Sequence, residues 1–152
     1  MVNDPDDIDV MNFSRASAPN ELIYGPLQLC CLMMWLGVYQ FMTQEAAIIA
    51  AAVGIGDGMA PFIGQRYGRH VYNLPISNQK TMEGSVVGVF LGTVLSSYVY
   101  LYMIGLDLPP LRYILVYGFL AAMTEGSAPG NFDNIATALL LYFSIDKVKE
   151  LL

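Results

Sequence analysis

The chain has 152 residues, a formal net charge of −6 and 55% apolar residues, but only 13% are charged. A soluble domain carries roughly 25% charged residues, so neither an ordinary soluble fold nor disorder fits this composition. One domain is expected. The acidic balance excludes nucleic acid as a partner, because that needs a basic face. Adjacent Cys30 and Cys31 supply neither a disulfide framework nor a zinc set.

Residues 1–21 hold Asp4, Asp6, Asp7, Asp9 and Glu21 against the single base Arg15. A secretory signal starts basic and a transit peptide is Arg-rich and acid-poor. This stretch is neither and reads as a polar acidic arm. Residues 22–44 carry no formal charge, and a bilayer span needs about 20 mostly apolar residues. A membrane helix is predicted over Leu22–Met42, with Pro26 in its first turns, where proline costs least. Glu45–Gly64 is a second apolar segment, broken by Gly54, Gly56, Asp57, Gly58 and Pro61. Gln65–Lys80 is polar and is predicted as a loop.

Residues 84–106 are uncharged and give a third span. Gly105–Leu111, with Pro109 and Pro110, reads as a tight link. Arg112–Met123 is a fourth apolar segment. Thr124–Asn131 is a turn-rich loop. Phe132–Ile145 is a fifth segment of only about three and a half turns, short enough to be re-entrant or packed inside the bundle. Asp146–Leu152 reads as a short amphipathic tail. A soluble bundle would need a polar face on most helices, and the runs 22–44 and 84–106 have none.

Arg66, Arg69 and His70 with Lys80 fall between the second and third segments, so the positive-inside rule places that loop in the cytosol. The third span leaves and the fourth returns, bringing Thr124–Asn131 to the same side. Lys147 and Lys149 fit poorly with a fifth full crossing.

Ionisable groups in apolar runs are costly and point to function. Glu45, Asp57, Glu83, Glu125 and Asp133 are such groups. Asp57, among glycines, can reach a metal or a metal-bound phosphate; equally, the glycines can serve helix packing, with the carboxylate satisfied by a neighbour. Arg66, Arg69, His70 and Lys80 suit a polyanion carrying Mg²⁺, or simply fix topology. Thr81 can cap the third helix with Glu83 in its first turn. Alternatively, that helix start takes an anionic phosphate beside Lys80, with Gly84 allowing close approach. In Glu125–Asn134, Asp133 or Asn131 can cap the fifth helix, or Glu125 and Asp133 can share a divalent cation with Asp57. No P-loop, kinase catalytic loop or nucleophile elbow is present.

Taken together, Gly56-Asp57-Gly58-Met59-Ala60, Gly64-Gln65-Arg66-Tyr67-Gly68, Lys80-Thr81-Met82-Glu83-Gly84-Ser85 and Glu125 with Pro129 and Asp133-Asn134 resemble the polyprenol kinase family. That family includes phytol, farnesol and dolichol kinases and CTP-dependent diacylglycerol kinase, with phosphatidate cytidylyltransferases as distant relatives. The resemblance covers roughly residues 45–145. It implies an all-α, multipass transmembrane bundle of four to five helices, with residues 22–145 as the catalytic domain and membrane lipids around it. It implies CTP as phosphoryl donor, Mg²⁺ as cofactor and a lipid alcohol as acceptor.

By position, Asp57, Glu125 and Asp133 look like metal residues, and Asp57 and Lys80 like catalytic ones. Arg66, Lys80, Gly84, Ser85 and Asn134 look like nucleotide contacts. Gly58 stands where many members carry threonine, and only one helix fits before Glu45 where members usually carry more. A short form, a fragment, or a homo-oligomer that completes its bundle between subunits would each account for this. The alternatives in function are a phosphatidate cytidylyltransferase-like enzyme and a non-catalytic membrane paralogue. The acidic start favours the endoplasmic reticulum over a plastid membrane, with the active face toward the cytosol.

Overall fold

The computed structural model describes residues 21–74, 77–128 and 132–151. Residues 1–20 of the acidic arm, the Pro129 turn and the proposed Asn131 cap lie outside the described residues. Five helices and one short hairpin make up the rest.

Helix α1, Glu21–Tyr39, contains Pro26 and ends three residues before its expected limit. The chain reverses at Met42, whose φ of 59° is left-handed, a conformation that costs a residue with a Cβ roughly 1–2 kcal/mol. Thr43 then caps the next helix, its Oγ1 accepting from the Ala46 N–H at 3.1 Å. Helix α2 runs as one rod over Gln44–Tyr67. It widens to i→i+5 turns at Ala52–Gly56 and contains Pro61, which has no N–H to give the Asp57 carbonyl four residues back.

Gln65–Lys80 is not the loop its polar composition predicts. Gln65, Arg66 and Tyr67 complete α2, and β1 (Val71–Leu74) pairs antiparallel with β2 (Ser77–Thr81). Val71, Tyr72 and Thr81 are strand formers. Thr81 caps the following helix as expected, its Oγ1 accepting from the Gly84 N–H at 3.2 Å.

Helix α3, Glu83–Ile104, opens with wide turns over Glu83–Val89. It ends at left-handed Gly105 (φ 76°), where the Leu106 N–H bonds the Leu101 carbonyl at 3.0 Å. The Gly105–Leu111 link is as expected. Helix α4, Leu111–Ser127, and helix α5, Asp133–Leu151, complete the bundle. The fifth segment was expected to be short; its helix has 19 residues because Asp146–Leu151 continues it rather than forming a separate tail. Lys149 Nζ holds Glu45 Oε1 at 2.7 Å, tying that last turn to the start of α2.

The core is built where α2, α3, α4 and α5 meet, each contributing a fully buried aliphatic residue: Ile49, Leu101, Ile114 and Leu141. Against it, α2 and α3 cross with their backbones nearly touching. Gly84, Gly88 and Gly92 on α3 face Gly56, Ala60 and Gly64 on α2; a Cβ on Gly88 would sit 3.0 Å from the Ala60 Cα. Small residues at four-residue spacing on both helices permit this approach. The outward faces stay apolar: Leu111, Leu115, Phe119 and Met123 make an exposed stripe along α4. Helices Gln44–Tyr67 and Glu83–Ile104 are long and apolar enough to cross a membrane.

Candidate active site

The site forms at one end of the bundle, where α2 passes its wide turn, α4 ends, α5 begins and the hairpin leans in. Asp57 follows the wide turn directly. Glu125 lies in the last turn of α4, and Asp133 opens α5 with one carboxylate oxygen accepting from the Asn134 N–H at 2.9 Å. One carboxylate oxygen from each of Asp57, Glu125 and Asp133 lies within 4.8 Å of the others. Glu125 and Asp133 are buried, at 3% and 4% exposure.

Lys80 enters from β2. Its ammonium meets Glu125 Oε1 at 2.8 Å and Asp133 Oδ2 at 3.7 Å, and donates to the Glu125 carbonyl. Such a cluster would repel itself without a cation, and the lysine offsets part of the charge. Three carboxylates and one ammonium, all charged, would leave two formal negative charges, which one divalent ion would balance.

Four of the residues singled out from sequence therefore come together: Asp57, Lys80, Glu125 and Asp133. Asn134 sits beside them, its Oδ1 buried and without a hydrogen-bond partner among the described residues. Ser85 is buried and its hydroxyl lies 2.9 Å from the Tyr72 phenol. Gly84 faces α2: a Cβ there would sit 2.6 Å from the Ala60 carbonyl and 3.2 Å from the Gly64 Cα. Helix packing thus accounts for that glycine. Arg66 is exposed in the last turn of α2 with its guanidinium 5.9 Å from the Tyr67 ring centre. Nine residues of rise separate it from Asp57, about 13 Å along the axis, so it stands outside the carboxylate cluster.

The His70 ring nitrogen Nδ1 lies 2.6 Å from Glu83 Oε1 at the base of the hairpin, and the His70 backbone N–H also donates to Glu83 Oε2. Tyr72 was not anticipated. Its hydroxyl also donates to the Gly126 carbonyl at 3.3 Å. No sequence signal fixes the strand register that carries it there. At the far end of the bundle, a cavity of about 620 Å³ lies among Glu45, Arg112, Tyr113, Tyr117 and Lys149.

An all-α bundle with a buried carboxylate centre of this make-up is compatible with a divalent cation. The chain belongs to the cytidylyltransferase family, whose model matches residues 15–141. Over 98 residues, 64% of the chain, it is 29% identical to the probable phytol kinase, chloroplastic, of Zea mays. Over a stretch of the same length it is 30% identical to the farnesol kinase, chloroplastic, of Arabidopsis thaliana. The matched stretch makes up 32% and 31% of those relatives, so the chain spans about a third of each. No solved structure matches. These findings bear out the resemblance to polyprenol kinases drawn from the motifs.

Proposed function

We propose that this chain carries the catalytic centre of a CTP-dependent kinase that phosphorylates a membrane lipid alcohol of the phytol, polyprenol, dolichol or diacylglycerol type. The observation that carries the reading is the meeting of Asp57, Glu125 and Asp133 around Lys80. The oxygens of one Mg²⁺ octahedron lie about 3–4 Å apart, so a 4.8 Å cluster needs only small side-chain movement to hold one ion. Asp57, Glu125 and Asp133 would hold it. Bound there with CTP, Mg²⁺ supplies charge neutralisation at the phosphate oxygens.

The chain's own residues account for the rest. Lys80 offsets negative charge beside the reacting phosphate. Asp57 accepts or orients the proton of the attacking hydroxyl, and Asn134 presents its buried carbonyl oxygen to the nucleotide. The apolar outward faces of α3 and α4 hold the bundle in lipid as a multipass protein, with the alcohol tail along their grooves and the centre toward the cytosol. The proposed membrane is that of the endoplasmic reticulum, whereas both relatives carry chloroplastic in their names; imaging of a tagged chain separates the two.

The decisive assay supplies γ-labelled CTP, Mg²⁺ and a panel of lipid alcohols. Label in the lipid supports the kinase. The family's name favours one second reading, a phosphatidate cytidylyltransferase, which would release pyrophosphate and leave the α-phosphate in the lipid. Asp57→Asn should abolish turnover in a protein that still inserts and folds. Wild-type turnover in that variant removes Asp57 from the mechanism, and absence of Mg-dependent CTP binding favours a non-catalytic paralogue.

A further inference from the structure

We propose that Tyr72 is a positioning residue whose phenol fixes the Lys80 ammonium against Glu125. The proposal rests on the reading of Lys80 and Glu125 as working parts of the site. Tyr72 and Lys80 are direct cross-strand partners in the hairpin. Directly opposed residues of an antiparallel pair share a face, with Cβ atoms about 4.5–5.5 Å apart. Both side chains reach the last turn of α4. Lys80 takes the carboxylate and carbonyl of Glu125, and Tyr72 takes the carbonyl of the next residue, Gly126.

The chemistry of the phenol fixes the direction of each bond. A carbonyl only accepts, so the single O–H of Tyr72 goes to Gly126. The phenol oxygen then accepts from the Ser85 hydroxyl at 2.9 Å. One oxygen thereby joins the hairpin, the start of α3 and the end of α4. Two short strands alone are marginally stable, and lysine has a long, flexible stem. The hairpin needs a brace if its ammonium is to stay on Glu125. His70 and Glu83 hold the base of the hairpin, while Tyr72 lies level with Lys80. Gly126 makes room for the brace: a Cβ there would sit 3.2 Å from the Tyr72 oxygen.

Two substitutions test this on the full chain in detergent. Tyr72→Phe removes the oxygen and keeps the ring. Gly126→Ala keeps the phenol and presses on it. Competitive acylation with acetic anhydride, read by mass spectrometry, reports the accessibility of each lysine. Lys80 should label about fivefold to tenfold faster in Tyr72→Phe, the scale of one or two lost hydrogen bonds. It should shift in the same direction, by less, in Gly126→Ala. Lys149 should keep its wild-type rate in both. An unchanged Lys80 rate overturns the proposal, as does a parallel rise at Lys149, which would mean general loosening.

In the kinase assay Tyr72→Phe should lower kcat about fivefold to tenfold at unchanged KM for the alcohol. In a Lys80→Met background it should add nothing, because both act through one ammonium. An additive loss overturns the proposal. If no variant, wild type included, transfers phosphate while Lys80 labelling still responds to Tyr72 alone, the positioning role holds and only the kinase reading falls.

Discussion

Replacing Lys80 with methionine removes the ammonium that faces Glu125 and Asp133 and keeps the length of the side chain. The side chains of Lys80, Glu125 and Asp133 are 9%, 4% and 5% exposed, so water screens little of the lost attraction. Breaking a buried pair by deleting one partner costs about 3–5 kcal/mol. For a chain of this length, 1 kcal/mol moves the melting midpoint by about 2–4 °C. The variant should therefore melt about 6–20 °C below wild type in the same detergent with EDTA present. Mg²⁺ in place of EDTA should restore part of the loss. A ligand at a hundredfold excess over its Kd contributes about 2.7 kcal/mol, and without the competing ammonium the variant should gain more than wild type does. Thermal unfolding followed by circular dichroism, with a Mg²⁺ titration of both proteins, measures each quantity. A loss under about 1 kcal/mol, the range of exposed pairs, together with equal Mg²⁺ responses, would refute the view that Lys80 balances these carboxylates.

Gly88→Val would place side-chain carbons against Ala60, where a Cβ alone already sits 3.0 Å from a backbone atom. Overpacking of this kind costs about 1–3 kcal/mol, read as a lower melting midpoint, while Gly58→Ala, with open space around its Cβ position inside a helix, should raise the midpoint slightly, by the roughly 0.5–1 kcal/mol that alanine gains over glycine there. His70→Ala removes a contact between solvent-exposed groups and should leave the melting midpoint nearly unmoved, with a still smaller effect at high salt. The hydrogen bond and charge of Glu45 hold the Lys149 ammonium above the usual lysine range. A raised lysine pKa stabilises the fold fully at neutral pH. Its contribution is lost as pH rises through the folded pKa, so Lys149→Met should flatten the alkaline limb of a stability profile.

The helices were legible because long uncharged runs leave few alternatives. Residues 84–106 carry no charge, and α3 covers nearly that span. Asp57, Glu125 and Asp133 were legible as costly charges beside apolar segments. The hairpin was hidden by its polar composition: Ser77-Asn78-Gln79-Lys80 reads as loop until pairing with Val71–Leu74 is known. The end of α5 was misread because Asp146, Lys147, Lys149 and Glu150 look like a solvated tail, whereas Lys149 gains a partner from α2. Gly84 reads from its place at a helix start as a point of ligand approach, and the structure adds that its spacing with Gly88 and Gly92 serves the crossing with α2. Long-range pairing decided each of these, and only the four-residue glycine spacing left a local trace of it.

Helix α5 is anchored at both extremities, by Asp133 at the carboxylate centre and by Lys149 to Glu45. It acts as a ruler between the two rims of the bundle. One residue inserted midway would advance it by 1.5 Å and turn one half by about 100° relative to the other. The two anchors could then no longer both be satisfied, so the length of this helix is as constrained as the identity of the residues at its ends.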